Sequence, residues 1–350
     1  MRIGMPMSYS GDFAETAGVI AEYEAAGLDI VFVTEAYSFD SVSQLGYLAA
    51  RTTTLEIASA IFNIYSRSPA LLAMTAAGLD YVSGGRFTLG IGASGPQVVE
   101  GFHGVPYTAP LARTREVVDI CRTVWRREPL EHDGPQIQIP LSPERGGGGL
   151  GKPLKLINRP VRPRIPMLLA ALGPKNVALA AELFEAWEPI FYYPEGSAEA
   201  FGKALEDGNA KRDPELGPLQ IVADTNVLVT DDPDEEARGL QKVREHLALY
   251  VGGMGAKGKN FYNDLAVRYG FPEEAAAVQD LFLGGQRAEA AAALPDELVR
   301  GVSLVGPRSY VAERVAAFAA SGVTTVNAAP LGEDHATRLR SVATLKELVA

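Results

Sequence analysis

Apolar and polar positions switch between two periods along the first third of the chain. Arg2–Met7 is a short apolar run of strand length. Phe13, Ala17, Ile20 and Glu24 then follow helical spacing, with Asp12 and Glu15 read as a capping box at the start and Gly27 as the residue that ends the helix. Leu28–Thr34 is apolar on both faces, which predicts a parallel strand buried beneath helices. Leu55–Phe62 is the third predicted strand. Ser68 and Pro69 supply the cap and first position of a helix reaching about Val82, closed by Gly84–Gly85, and Arg86–Gly92 is the fourth strand. A strand roughly every 30 residues fits βα units. Four such units, followed by a helix over Pro110–Arg126, predict half of a (β/α)8 TIM barrel.

The pattern breaks at Glu131–Pro166, a Gly- and Pro-rich stretch read as an insertion at the strand ends. It then resumes. Predicted strands are Ile165–Leu172, Glu188–Tyr193, Leu219–Thr230 and Thr324–Ala328, which brings the total to eight. Predicted helices are Pro174–Phe184, Ser197–Lys211, Asp234–Tyr250, Pro307–Ser321 and His335–Val349, and Tyr250–Leu294 is a second, mixed insertion.

Composition removes several classes. With 350 residues, 47% hydrophobic and 21% charged, the chain has globular proportions. A net charge of −11 argues against a nucleic-acid binder, which needs a broad basic face. The single cysteine, Cys121, falls on an apolar helix face and reads as core, which excludes an internal disulfide framework and a cysteine zinc site. No apolar run is long enough to span a membrane, and Met1–Glu15 lacks the apolar core of a secretory signal, so a cytoplasmic protein is expected.

Glycine motifs need weighing. Gly90-Ile-Gly92-Ala-Ser94-Gly95 has the dinucleotide-binding spacing, but Pro96 follows, the next predicted helix lies further on, and Asp119 falls inside it. A barrel strand end whose small residues let a flat ligand approach the backbone is the better reading. Gly146–Gly149 with Gly151 and Lys152 is no P-loop, because Pro153 stands where the hydroxyl residue is needed. Gly173-Pro174-Lys175-Asn176 joins a strand to a helix. It fits either a phosphate site at the helix start or an ordinary tight turn. The histidines His103, His132, His246 and His335 have no metal-binding spacing. His103, in a Gly-Phe-His-Gly turn, reads as pocket lining or as surface. At the predicted strand ends, Glu35, Asn63 and Arg67 offer a carboxylate, an amide and a guanidinium that can converge on a ligand. The plainer alternatives are a rim salt bridge for Glu35 and a cap contact for Arg67.

Longer stretches resemble a known family. Asn63–Pro69, Asp80–Gly92, Ser94–Gly104, Gly252–Asn263 and Val302–Pro307 are similar to the luciferase-like monooxygenase superfamily, and within it to the deazaflavin (coenzyme F420)-dependent oxidoreductases. The resemblance covers nearly the whole chain. It implies a (β/α)8 TIM barrel with insertions at the C-terminal ends of the strands, here 131–164 and 250–294, and a homodimer. It implies hydride transfer between coenzyme F420 and a small organic substrate, with Glu35 and His103 as the catalytic candidates. Ala60, Ile61, Asn63, Arg67, Ser94, Gly95 and Gly173, Pro174, Lys175, Asn176 are the implied cofactor-binding positions. Family members carry a non-proline cis peptide behind the ring, placed by similarity at Ala60–Ile61 or else Ser59–Ala60. The alternatives are an FMN-dependent monooxygenase using O₂ and a reductase, and a non-catalytic flavin binder. Ala36 follows Glu35 where the family's sugar-phosphate dehydrogenases have a catalytic histidine, so that particular chemistry is not expected.

The charge is uneven. Arg145–Ala181 contains seven basic residues and no Asp or Glu, leaving −18 on the rest of the chain. Coenzyme F420 carries an anionic oligoglutamate tail that FMN lacks, so the basic stretch is expected to line the tail's path, with coenzyme binding more salt-sensitive than FMN binding.

Overall fold

The computed structural model describes residues 1–7, 13–255 and 257–350. The expected capping box at Asp12 therefore lies outside the described residues. Twelve strands are assigned among the described residues: β1 (Arg2–Met7), β2 (Ile30–Val33), β3 (Glu56–Ser59), β4 (Phe62–Asn63), β5 (Phe87–Gly92), β6 (His132–Asp133), β7 (Gln138–Ile139), β8 (Met167–Ala170), β9 (Ala186–Glu188), β10 (Gln220–Val229), β11 (Leu304–Gly306) and β12 (Thr325–Pro330). The parallel ladder runs β12-β1-β2-β3-β5-β8-β9, and β10 pairs with both β9 and β12. Eight strands thus close a barrel, as the periodicity predicts. β6 and β7 form a separate antiparallel hairpin, and β11 pairs only with the end of β10.

Strand alternation sorts the side chains. Ile30, Phe32, Ala58, Leu168, Ala186 and Val222 face inward and pack as a small plug inside the barrel. Their neighbours, among them Val31, Ile57, Ile91, Leu169 and Trp187, face outward into the larger core beneath the helices. Both tryptophans are fully buried, and each indole N–H finds a carbonyl: Trp125 donates to Ala73 and Trp187 to Ala171. Cys121 lies in this core.

Local chemistry explains the boundaries. The helix Pro69–Val82 starts where Ser68 accepts from the Leu71 amide, and Gly84 and Gly85 at positive φ close it. The predicted helix from Phe13 is broken at Val19 into Phe13–Gly18 and Ile20–Ala25. The predicted strand Leu55–Phe62 is split. β3 ends at Ser59, the Ala60–Ile61 peptide is cis, and β4 resumes against β5. The predicted strand Glu188–Tyr193 is displaced. β9 stops at Glu188 because Pro189 has no N–H to give and Phe191 has φ +54°, which turns the chain away. The helix Ser41–Arg51 was not anticipated, although Asp40 caps it through the Ser43 amide.

The two insertions sit at different ends of the barrel. Residues 250–294 lie over the C-terminal strand ends. The Tyr269 hydroxyl donates to Phe191 O, and Arg268 donates to Leu172 O. The placement expected for 131–164 needs correction. This segment joins the end of the helix Pro110–Trp125 to the start of β8. Its hairpin is tied to the flank of that helix through Glu116, which accepts from the Gln136 and Ile137 amides. Its later part pairs with the N-terminal face: Leu154 O accepts from Leu130, and Arg162 reaches Asp80 and the carbonyl of Phe87, the first residue of β5. An αβ connection returns the chain to the strand starts, so the segment cannot line a mouth at the strand ends.

Candidate active site

Ala60, Ile61, Ala93, Ala170, Asn226 and Ala329, near or at the strand ends, retain part of their surface. Small residues dominate there. Two glycines on β5 are required by close approach: a Cβ on Gly90 would lie 1.8 Å from Ser59 O, and one on Gly92 2.4 Å from the Ile61 side chain. The Ser59 hydroxyl bridges the same place, accepting from Gly90 N and donating to Gly90 O.

Glu35 and Arg67 meet as a bidentate pair of 2.6 and 2.8 Å, with both side chains largely buried. Glu35 also accepts from the Ser41 amide and hydroxyl. The Arg67 guanidinium lies 4.4 Å over the Phe62 ring. Every oxygen of Glu35 is engaged, so its carboxylate holds Arg67 in place. Asn63 is buried. Its Oδ1 accepts from the Tyr65 amide, while its Nδ2 has no partner among the described residues. A buried, unused N–H₂ costs about 1–3 kcal/mol and marks a place for an acceptor.

The loop after β5 is held in an unusual shape. Ser94 has φ +58°. The Tyr107 hydroxyl donates to Ser94 O, and the Tyr65 hydroxyl to Thr108 O. The expectation that no helix follows Gly95 directly is overturned: a six-residue helix begins at Pro96 with Gly95 as its cap. It is too short for a dinucleotide fold's phosphate helix and belongs to a closed barrel. His103 follows this helix, with its ring edge-on to Phe102. Gly173 caps the helix Pro174–Leu183, with Lys175 exposed in its first turn and the Asn176 amide donating to Gly173 O. The other histidines are away from these residues. His132 contacts Glu116, His335 contacts Glu22, and His246 packs against Phe191 and Tyr250, where burial lowers its pKa. Among the described residues no group of three or more His, Cys, Asp or Glu is placed to hold a metal ion.

The basic stretch does not form the expected lining. Arg145 donates to the carbonyls of Gly134 and Pro135, Arg162 pairs with fully buried Asp80, and Arg164 pairs with Glu185. These are ties within the insertion or at the N-terminal face, made because the chain passes beneath the barrel there. Of the seven residues, Lys175 stands at the C-terminal face, in the first turn of a helix.

One cluster escaped the sequence reading. Glu188, Asp224 and Asn327, from β9, β10 and β12, each stand two residues beyond an inward-facing position and meet inside the barrel. Asn327 Nδ2 donates to Asp224 Oδ1 at 2.7 Å and lies 3.5 Å from Glu188 Oε1. Burial raises the Asp224 carboxyl to about 7. Burial, then the charge of Asp224, pushes Glu188 well above the usual range. The available signal was a polar residue at an inward register in otherwise apolar strands. It was masked because the strand ending at Glu188 was read as beginning there.

A flat, hydrogen-bonding ligand suits this mouth. The unused Asn63 Nδ2 supplies a donor, and Ala60 and Ile61, partly exposed and packed over Gly90 and Gly92, offer a small apolar surface. The profile of the luciferase-like monooxygenase family matches residues 1–325. The chain is 41% identical, over 93% of both chains, to a Mycobacterium tuberculosis protein named "Putative coenzyme F420-dependent oxidoreductase". It is 28% identical, over 95% of both, to 5,10-methylenetetrahydromethanopterin reductase of Archaeoglobus fulgidus. Among solved structures it resembles the coenzyme F420-dependent tetrahydromethanopterin reductase of Methanopyrus kandleri, with a TM-score of 0.78 and 20% identity over 98% of this chain and 96% of that one.

Proposed function

We propose, for a chain that belongs to the luciferase-like monooxygenase family, the function of a coenzyme F420-dependent oxidoreductase acting on a small organic substrate. The observation that carries this reading is the 41% identity over 93% of both chains to the mycobacterial relative, together with a mouth whose Asn63 donor and Ala60–Ile61 surface fit a flat heterocycle. When bound, a deazaflavin supplies a carbon that gives or takes a hydride. The protein's part is binding and placement. Ala60 and Ile61 form the surface behind the ring, and Asn63 Nδ2 donates to it. Ser94 and Gly95 flank it, Glu35 acts by fixing Arg67, and His103 lines the rim. Gly173, Pro174, Lys175 and Asn176 hold the phosphate at the start of their helix.

Titration with F420 and with FMN tests the assignment. Micromolar FMN binding without F420 binding overturns it in favour of an FMN-dependent monooxygenase. Glu35→Gln and His103→Ala variants that both keep full single-turnover hydride transfer remove those two residues from the chemistry. The protein is read as cytoplasmic; among the described residues no helix is long and apolar enough to cross a membrane. It is also read as a homodimer. Leu71, Met74, Tyr81 and Val82 expose an apolar stripe on the helix Pro69–Val82, and a second copy of this chain would cover it. Met74→Glu combined with Tyr81→Glu then gives a monomer by light scattering.

A further inference from the structure

We propose that Glu188, Asp224 and Asn327 form a proton-sharing site at the floor of the barrel mouth, and that Asp224 exchanges its proton with a neutral carbonyl or imine group of the substrate. The inference rests on the oxidoreductase reading above and assigns the proton half of that reaction.

Three observations carry it. First, two carboxyl groups and a carboxamide from neighbouring strands converge where the interior is otherwise an apolar plug. Two carboxylates in contact without a counter-ion cannot both stay ionised, so the pair keeps a proton. Among the described residues no Lys, Arg or His acts on either carboxyl, and Asp224 and Glu188 are each other's titratable neighbours. Second, the cluster is reached from the mouth. Asp224 keeps part of its surface, as do Ala170 beside Glu188 and Asn226 and Ala329 nearer the strand ends, whereas Glu188 and Asn327 are buried. Asp224 is the member a ligand can touch, and Glu188 is its reservoir. Third, Asn327 Oδ1 is buried with no partner. Its surroundings are crowded: a Cβ on Gly4 would lie 3.2 Å from this oxygen and 2.6 Å from the Phe32 ring. The carboxamide is thereby kept with its N–H₂ toward the acids, where it stabilises whichever oxygen is ionised.

Glu35 is engaged by Arg67 and Ser41 and cannot serve this purpose. A site with no cation among the described residues repels anionic groups and suits a neutral acceptor. In the reductive direction the Asp224 O–H bond breaks and a new O–H or N–H bond forms on the substrate heteroatom. The adjacent carbon receives its electron pair as hydride from the reduced deazaflavin. The carboxylate left behind is held by Asn327 and Glu188 and is reprotonated by water from the mouth. In the oxidative direction the same groups accept the proton.

Infrared spectroscopy of the protein tests this without relying on turnover. A protonated-carboxyl C=O band is expected at pH 6. The component that titrates with a midpoint near 7 should shift within the mixing time in D₂O and disappear in Asp224→Asn, leaving any band of Glu188. Cyclohexanone should shift the band and cyclohexanecarboxylate should not. The proposal is overturned if the wild-type protein shows no such band, if the band exchanges only on unfolding, or if it responds to the carboxylate and not to the ketone. These outcomes are independent of coenzyme titration. Failure of F420 to bind removes the reading above, whereas a missing or inaccessible band removes this one.

Discussion

Two carboxylate sites stand in the upper half of the barrel, and they are built in opposite ways. On the β2–β4 side Glu35 faces a bidentate guanidinium and the start of a helix, with Arg67 stacked on Phe62. On the β9–β12 side Glu188 and Asp224 face each other and an amide, with no cation among the described residues acting on them. The same functional group is therefore a fixed anion in one place and a proton carrier in the other. Environment, not residue type, decides which. The comparison also assigns tasks. A carboxylate committed to an arginine shapes the pocket, and a carboxyl with no opposing charge can exchange a proton near neutral pH.

The largest expected effect breaks the charged pair. Arg67→Ala leaves Glu35 buried without its counter-ion and should cost about 3–5 kcal/mol in urea unfolding at pH 7. Glu188→Gln removes one of two like groups and keeps the hydrogen-bonding shape, so it should cost about 1 kcal/mol or less. If the glutamine variant loses more than the alanine variant, the contrast between the two sites is wrong.

The second test is pH. Asp224 has a folded-state pKa raised to about 7 from an ordinary value of 3.8. Between those values the folded state binds more protons than the unfolded one. The stabilisation is therefore complete at acid pH and is lost as pH rises through about 7. Asp224→Asn should be more favourable relative to wild type at pH 8 than at pH 5, by about 1 kcal/mol or more. A difference independent of pH would mean that Asp224 titrates normally.

A third carboxylate sharpens the comparison because hydrogen bonds outweigh burial in setting its state. Burial acts to raise Glu24, but the amides and hydroxyl of Thr54 and the amides of Leu55 and Thr53 outweigh it and hold the carboxyl at about 2. Here the sign is reversed: the contribution is present above pH 4.5 and is lost as pH falls through about 2. Because the group is only half-buried, Glu24→Gln should cost only about 1 kcal/mol at pH 7, fading in acid.

How much of this was legible in the sequence follows from which interactions are local. Ser68-Pro69 and Gly84–Gly85 fix a helix from adjacent residues, and its boundaries hold. Seven of the eight barrel strands follow from apolar runs, which report burial wherever it occurs, and the eighth, Ala186–Glu188, lies just before the run read for it. Glu35–Arg67 was visible as two residues on loops, but their contact spans two βα units. The buried acids were not legible, because which side of a strand faces inward depends on its boundary. Reading the strand from Glu188 onward followed the apolar run Ile190–Tyr193, whose tyrosines pack in a loop cluster with Tyr269 and Phe201. The insertion at 131–164 was misplaced for a similar reason. Composition reveals a loop but not the end of the barrel to which it returns.

That misplacement sets the smallest effect. Seven basic residues with no acid among them look like one electrostatic surface, but charges attract a distant anion only while they remain uncompensated and within about a Debye length of it, roughly 8–10 Å at ordinary salt. Asp80 and Glu185 neutralise Arg162 and Arg164 at the opposite face of the barrel. Lys175, beside the helix start at the mouth, is the member of the stretch that a phosphate held there would meet. Lys175→Ala should weaken F420 binding about two- to threefold, close to 0.5 kcal/mol, and slightly flatten its salt dependence. Lys152→Ala and Lys155→Ala should leave both unchanged. Equal losses in all three variants, measured by fluorescence titration at two salt concentrations, would restore the insertion to the coenzyme's path and place the mouth's electrostatics on both faces of the barrel.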